Sequence, residues 1–386
     1  MPDSGKPQRG RRSVLQYRSG MTAFFLSGFC AISSGIIVSI LRDHYGFKYS
    51  FSGTLVSVMS IGNMAALLLS GLLPGIIGES ATTLLLCSGY FLGYLLMACT
   101  GNPVILLLAF LLAGISKGAA ANKSTILVGS NTDDRPKALN LMNAGFSLGA
   151  LMCPFLISML QKRGDSLPAV GVGVIGLLMW LVFLNAGLPG KASSLARESG
   201  RTDFSFLKSG TFWLLAMLIF CQNAAEYTVN GWVVTYYKNE NILSGTAAAY
   251  VVTVQWAMTL IARLLLAFRL KTRNLYLAIS VMGAGMTVMY AVLLQMHTAA
   301  SALIALGLLS FSLAGVYPLA VACVGEMMSS ASIGIILSIG GVGGIIFPFL
   351  VGIIADAVGL KSGMTVNIIP CIGIILLPLI LKKHDT

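Results

Sequence analysis

Apolar residues in this chain come in runs of about twenty, each ended by a short cluster of polar residues, glycine or proline. A membrane-spanning helix needs roughly 20 mostly apolar residues, whereas a strand of a membrane barrel needs only about ten of alternating polarity, so the pattern predicts helices. Twelve runs are long enough, at 20–41, 50–74, 81–99, 103–125, 138–160, 167–188, 210–237, 244–269, 275–296, 298–323, 330–355 and 361–382. Clusters such as Arg42-Asp43-His44, Gly101-Asn102-Pro103 and Asp133-Asp134-Arg135-Pro136 supply the breaks. The longest internal polar stretch, 189–209, divides the runs six and six. The expected fold is an all-α membrane protein with twelve transmembrane helices in two six-helix pseudo-repeats. Its parts are a tail at 1–19, a bundle at 20–188, a central loop at 189–209, a second bundle at 210–382 and a tail at 383–386.

Composition agrees and narrows the function. Of 386 residues 56% are hydrophobic and 10% charged, with a mean hydropathy of +0.86. A soluble domain carries about 25% charged residues, which excludes a soluble enzyme on an anchor. The histidines, His44, His297 and His384, fall in predicted loops or the tail, and the seven cysteines are scattered singly. No zinc, haem or iron–sulfur spacing results, and no nucleophile stands beside a base. The expectation is therefore a protein that is not an enzyme and has no cofactor, a proton being the one coupling ion foreseen.

The net charge of +12 changes meaning once it is mapped. With an even number of helices both termini share a side. That side carries 17 of the 25 basic residues and the opposite side six, Lys117 and Arg263 falling within runs. Basic residues accumulate on the cytoplasmic side of membrane proteins. The bias predicts cytoplasmic termini in the plasma membrane, and accounts for the charge without a nucleic-acid partner. The expected partners are the lipid bilayer and a small molecule, bound by a monomer. Residues 1–20 are polar and basic, and the first apolar run is long enough to span, so no cleavable signal is expected.

A charge in the hydrocarbon costs at least about 2.5–3.5 kcal/mol on insertion scales. Only Lys117, Glu226 and Arg263 lie well inside runs, Lys123 and Glu326 being near enough to helix ends to snorkel. Glu226 belongs to a stripe. Asn223, Glu226 and Asn230 follow i, i+3, i+7 spacing with Gln222 alongside, which places them on one helical face. It reads either as a carboxylate that exchanges a proton or binds solute, or as an acid paired with Arg263 or Lys117. Lys117 has no acid within the first four runs. It pairs across with Glu226, receives an anionic group of a substrate, or bonds backbone carbonyls. Asn140, Asn143 and Ser147 repeat the spacing, as do Ser27, Cys30 and Ser34, and Trp256, Thr259 and Arg263. Amides beside aromatic platforms suit a polar solute, making Trp232, Trp256 and Tyr227 candidates for stacking, although small polar residues also serve helix packing.

Internal repetition is the other signal. Gly149-Ala-Leu-Met-Cys-Pro154-Phe155-Leu156 and Gly343-Gly-Ile-Ile-Phe-Pro348-Phe349-Leu350 match at an offset of 194 residues, and the first helix of each half repeats at nearly the same offset. Such symmetry is expected of a transporter built from two parallel six-helix repeats. Glycine and proline in matching helices permit both close packing and bending.

Several pieces together carry a family likeness. They are Ala225-Glu226 followed by Trp232 and Tyr236; Leu139-Asn140 leading to Phe146 and the segment from Gly149 to Pro154; Tyr317-Pro318; and Gly344, Pro348, Gly352, Asp356 and Gly359. Over about residues 20–381 the chain resembles the major facilitator superfamily and, within it, the fucose-permease-like branch. The resemblance implies two six-helix bundles, a central mid-membrane site, and alternating access, commonly as proton symport of a sugar or similar solute. There are departures. The loop after the second helix reads Gly71-x-x-x-Gly75-Ile76-Ile77-Gly78, without the aspartate and arginine usual there, the fourth helix carries Lys117, and Asn143 stands where many relatives have histidine. A sugar acid or other small organic anion therefore competes with a sugar as substrate. Export of a drug or metabolite is the alternative, and a receptor without flux the least favoured reading.

Overall fold

The computed structural model describes residues 6–47, 49–189, 205–243, 247–269, 274–325 and 329–384. Glu326 and residues 190–204 of the expected central loop lie outside the described residues. Among those described, twelve helices are long and apolar enough to cross a membrane. In chain order they are α1 (Lys6–Tyr45), α2 (Tyr49–Leu72), α3 (Glu79–Cys99), α4 (Pro103–Gly129), α5 (Arg135–Gln161), α6 (Leu167–Leu184), α7 (Gly210–Asn239), α8 (Ala247–Arg269), α9 (Leu275–Leu293), α10 (Ala299–Ala322), α11 (Ser330–Val358) and α12 (Leu360–Lys383). The polar breaks act as caps. Asn102 accepts from the amides of Val104 and Ile105 with Pro103 in the first turn, and Asp134, Asn274 and Thr298 accept from Lys137, Leu277 and Ser301.

The main departure from expectation is α1, which begins at Lys6 rather than near residue 20 and runs for 40 residues. At 1.5 Å per residue it is roughly 60 Å long, about twice the hydrocarbon thickness. Hydropathy marks only the lipid-covered part. The basic beginning continues the helix beyond that part, and it is tied down where Arg12 Nε and Gln16 Nε2 donate to the Gly187 carbonyl at 2.9 and 3.3 Å.

Two compact units are present. One comprises Met1–Ala138, Gly145–Phe204 and Met328–Ile335; the other comprises Leu139–Ala144, Ser205–Met327 and Ile336–Thr386. In the first, α4 is the central helix, packed on α1, α2 and α3, while α6 closes against α1 and α3. Tyr90, Tyr94, Phe110 and Phe183 fill its interior, and the Tyr94 hydroxyl donates to the Cys30 carbonyl. In the second, α12 lies between α7 and α9, and α10 between α8 and α9. Its buried tyrosines are satisfied by backbone: Tyr236, Tyr237 and Tyr290 donate to the carbonyls of Leu294, Ala302 and Met364 at 3.0, 2.8 and 2.9 Å.

The sequence repeat has a physical counterpart in these units. A Cβ on Gly149 of α5 would overlap the Phe25 carbonyl oxygen of α1, and a Cβ on Gly343 of α11 would overlap the Phe220 carbonyl oxygen of α7. The glycines are 194 residues apart (343 less 149) and the phenylalanines 195 (220 less 25). The same crossing, glycine against a phenylalanine carbonyl, therefore occurs once in each unit.

Candidate functional site

In the second unit α7, α8 and α10 bring polar side chains around one small cavity lined by Glu226, Asn230, Gln255, Trp256, Thr259, Arg263, Ser310, Leu313 and Ala314. Helical period explains the α8 contribution. Gln255, Thr259 and Arg263 are spaced by four and share a face. Gln222 Nε2 donates to Glu226 Oε2 at 3.1 Å, one turn away on α7, and Gln255 Nε2 donates to Asn230 Oδ1. Arg263 is buried, 5% exposed. Its Nε donates to the Ala314 carbonyl at 3.2 Å and its Nη1 to the Asn143 carbonyl at 3.0 Å. Asn143 in turn donates from Nδ2 to Leu139 O at 2.8 Å.

Glu226 and Arg263 thus face one cavity. Carboxylate–cation contacts among the described residues include Arg42–Asp43, His44–Asp165 and Lys123–Glu79. The cavity holds about 10 Å³, enough for about one water. It is a hydrogen-bonded cluster that positions a carboxylate and a guanidinium, and it has no room of its own for a solute.

The remaining expected site residues are placed as follows. Asn140 and Asn143 are buried on α5, in the segment that counts with the second unit. Asn223 is half-buried with its amide against Gly340 of α11. Trp256 lines the cavity, but Trp232 does not. The Trp232 indole N–H donates to the Pro348 carbonyl at 2.9 Å and its ring lies against Gly352, so this aromatic joins α7 to α11. Tyr227 is 43% exposed beside Gly344. Lys117 belongs to the first unit, half-buried on α4, with no hydrogen bond or ion pair to any described residue. Lys123 does not snorkel. Its side chain is 7% exposed and its Nζ lies 3.2 Å from Glu79 Oε2, because α3 begins with that carboxylate beside the end of α4. Gln255 and Ser310 were not singled out in the sequence. Gln255 carried a signal, standing two turns before Arg263 in register with Thr259, whereas Ser310 donates to the Leu306 carbonyl of its own helix and resembles any packing serine.

This constellation sits in a recognisable chain. The family model described as the Major Facilitator Superfamily matches residues 20–333. The chain belongs to the Major Facilitator Superfamily. This facilitator is accordingly a multi-pass membrane protein, and solved structures repeat its fold. FucP, crystallised as a facilitator in the outward conformation, superposes with a TM-score of 0.80 at 16% identity, covering 96% of this chain and 99% of that one. The human organic anion transporter MFSD10 (TETRAN) gives 0.73 at 18% identity over the same shares, 96% and 99%. The E. coli fucose:proton symporter in a further FucP structure gives 0.77 at 17% identity over 96% and 99%. Among curated proteins, a gallate transporter of Pseudomonas putida is 28% identical over 166 residues, a match spanning 40% of this facilitator and 36% of that protein.

Proposed function

We propose that this facilitator is a secondary active transporter that carries a small organic anion across the cytoplasmic membrane by alternating access, coupled to a proton, with both termini in the cytoplasm. One observation carries the choice of an anion: the Lys117 ammonium, half-buried in the span of α4, has no partner among the described residues. An ammonium at that depth costs roughly 2.5–3.5 kcal/mol or more, and an incoming carboxylate offsets that cost. The names of two similar proteins, a gallate transporter and an organic anion transporter, favour the same chemistry. Glu226 takes the coupling proton, one oxygen held by Gln222, with the buried Arg263 setting the field around it. Asn140, Asn143, Asn223 and Asn230 supply hydrogen bonds and Trp256 an aromatic surface. The activity involves no covalent chemistry, no nucleic acid and no second copy of the chain.

A neutral sugar is the second reading, favoured by the amide pair Asn230–Gln255 and by the likeness to a fucose:proton symporter. Thermal unfolding of the purified protein with gallate, a sugar acid and fucose separates the two. The anion reading expects the carboxylates to stabilise the parent and Lys117→Met to lose that response. Stabilisation by fucose alone, or an unchanged response in Lys117→Met, overturns it. Efflux is distinguished by counter-gradient movement from loaded vesicles. Glu226→Gln is expected to bind substrate at fixed pH yet lose the dependence of uptake on a proton gradient, and retained dependence removes the proton role.

A further inference from the structure

Where α1 and α6 meet near the end of the bundle that holds the N-terminal part of α1, an open groove of about 400 Å³ is lined by Arg18, Ser19, Thr22, Leu178, Leu181, Val182 and Asn185. We infer that this groove is a binding site for one anionic phospholipid, with its phosphate on Arg18 and an acyl chain along Leu178, Leu181 and Val182.

Three observations carry the inference. Arg18 is exposed and has no hydrogen bond or ion pair to any described residue, and it stands two residues before the apolar run of α1 begins at residue 20, the level at which a bilayer presents its headgroups. It lies six residues, roughly 9 Å, inside Arg12, whose own guanidinium is committed to the Gly187 carbonyl. A guanidinium at that level is best satisfied by a phosphate, which it meets with paired N–H donors. Next, the groove is polar and apolar in the order a phospholipid requires. Antiparallel to α1, α6 carries Asn185 at its end and Leu178 seven residues deeper, roughly 10 Å toward the bilayer centre. Leu178 and Leu181 are 49% and 38% exposed, so the wall is open to a chain. Finally, this end of the bundle is the basic one, and anionic lipids of the cytoplasmic leaflet are drawn to basic sites between helices. A free phosphate would use Arg18 and leave the apolar wall uncovered, which favours the lipid.

Only the choice of leaflet rests on the proposed orientation. A nanodisc presents both faces, so the experiment succeeds or fails independently of orientation and of substrate. Purified protein is placed in phosphatidylcholine nanodiscs with increasing phosphatidylglycerol, and lipid retention is read by native mass spectrometry alongside thermal unfolding. The expected result is a phosphatidylglycerol-dependent rise in midpoint and selective retention of one molecule. Arg18→Gln should weaken retention about fivefold, the worth of one basic group near a charged surface, and Arg18→Lys should keep most of it. Leu178→Asn should weaken it with Arg18 intact, and Lys382→Gln, a basic residue outside the groove, should not change it. Soluble glycerol 3-phosphate tests the headgroup alone. The inference is overturned if phosphatidylglycerol is retained no better than phosphatidylcholine, if Arg18→Gln matches the parent, if Lys382→Gln costs as much as Arg18→Gln, or if glycerol 3-phosphate displaces the lipid completely. A loss of stability in Arg18→Gln that is equal in both lipids also overturns it, since the arginine would then have a partner within the chain.

Discussion

Arg263 is held by two carbonyls from different helices, Ala314 of α10 and Asn143 of α5. A guanidinium reaches both because its donors are spread over a rigid fork, whereas an ammonium is a single point on a flexible stem. Arg263→Lys is therefore expected to lose one of these two bonds and cost about 2 kcal/mol, the order of one charged hydrogen bond. A lower unfolding midpoint checks this, and a midpoint equal to the parent's would mean that the fork is dispensable. The Lys123–Glu79 pair makes a related case. Burial of the lysine makes an unmatched charge more costly than a missing pair, so Glu79→Gln alone should destabilise more than Glu79→Gln with Lys123→Met. A double-mutant cycle in thermal stability measures the coupling, and strictly additive effects would contradict it. This pair also puts a carboxylate immediately after the loop that lacks the family's usual aspartate and arginine.

At the scale of the element, the crossings of α1 with α5 and of α7 with α11 depend on two glycines in equivalent places. A side chain at Gly149 or Gly343 would enter a backbone carbonyl that cannot move aside. Gly149→Val and Gly343→Val should each cost roughly 1–3 kcal/mol, as overpacking does. Gly231 of α7 has nothing within 4 Å of its would-be Cβ, so Gly231→Ala should be neutral or stabilising, in line with helix propensity. Thermal midpoints of the three variants test the contrast. These glycines were legible as a repeat of spacing, because both units solve one packing problem with the same residues. The stripes were legible in part: of Asn223, Glu226 and Asn230 on α7, the last two line the cavity with Gln222 bonded to Glu226 while Asn223 meets Gly340 of α11, and Trp256, Thr259 and Arg263 on α8 all line it, because helical period decides which residues share a face. Period fixes the face and not its neighbour, so nothing in the spacing paired Asn230 with Gln255 or Arg263 with the carbonyl of Asn143. Trp232 illustrates a reading that the period itself opposes. Six residues beyond Glu226, it is turned about 120° away and meets α11 instead of the cavity. The early start of α1 was hidden for a different reason, since hydropathy measures the affinity of a segment for lipid and is silent about a helix that continues into water.

For the whole molecule the cysteines offer a test of orientation. Seven are present, of which five are buried, Cys323 is half-buried and Cys99 is exposed. Cys99 ends α3, at the end of its bundle where the Tyr45 ring, closing α1, lies against Gly101. Cys323 immediately follows α10. With the termini in the cytoplasm, counting spans puts Cys99 outside the cell and Cys323 inside. A membrane-impermeant maleimide should therefore label intact cells at Cys99, with the label lost in Cys99→Ala and kept in Cys323→Ala. Inside-out vesicles should show the opposite dependence, more slowly because Cys323 is less open. Labelling of Cys99 only from the inside would invert the topology. The positive-inside bias would then lose its bearing on this chain, and the basic end that frames Arg18 would face the outer leaflet.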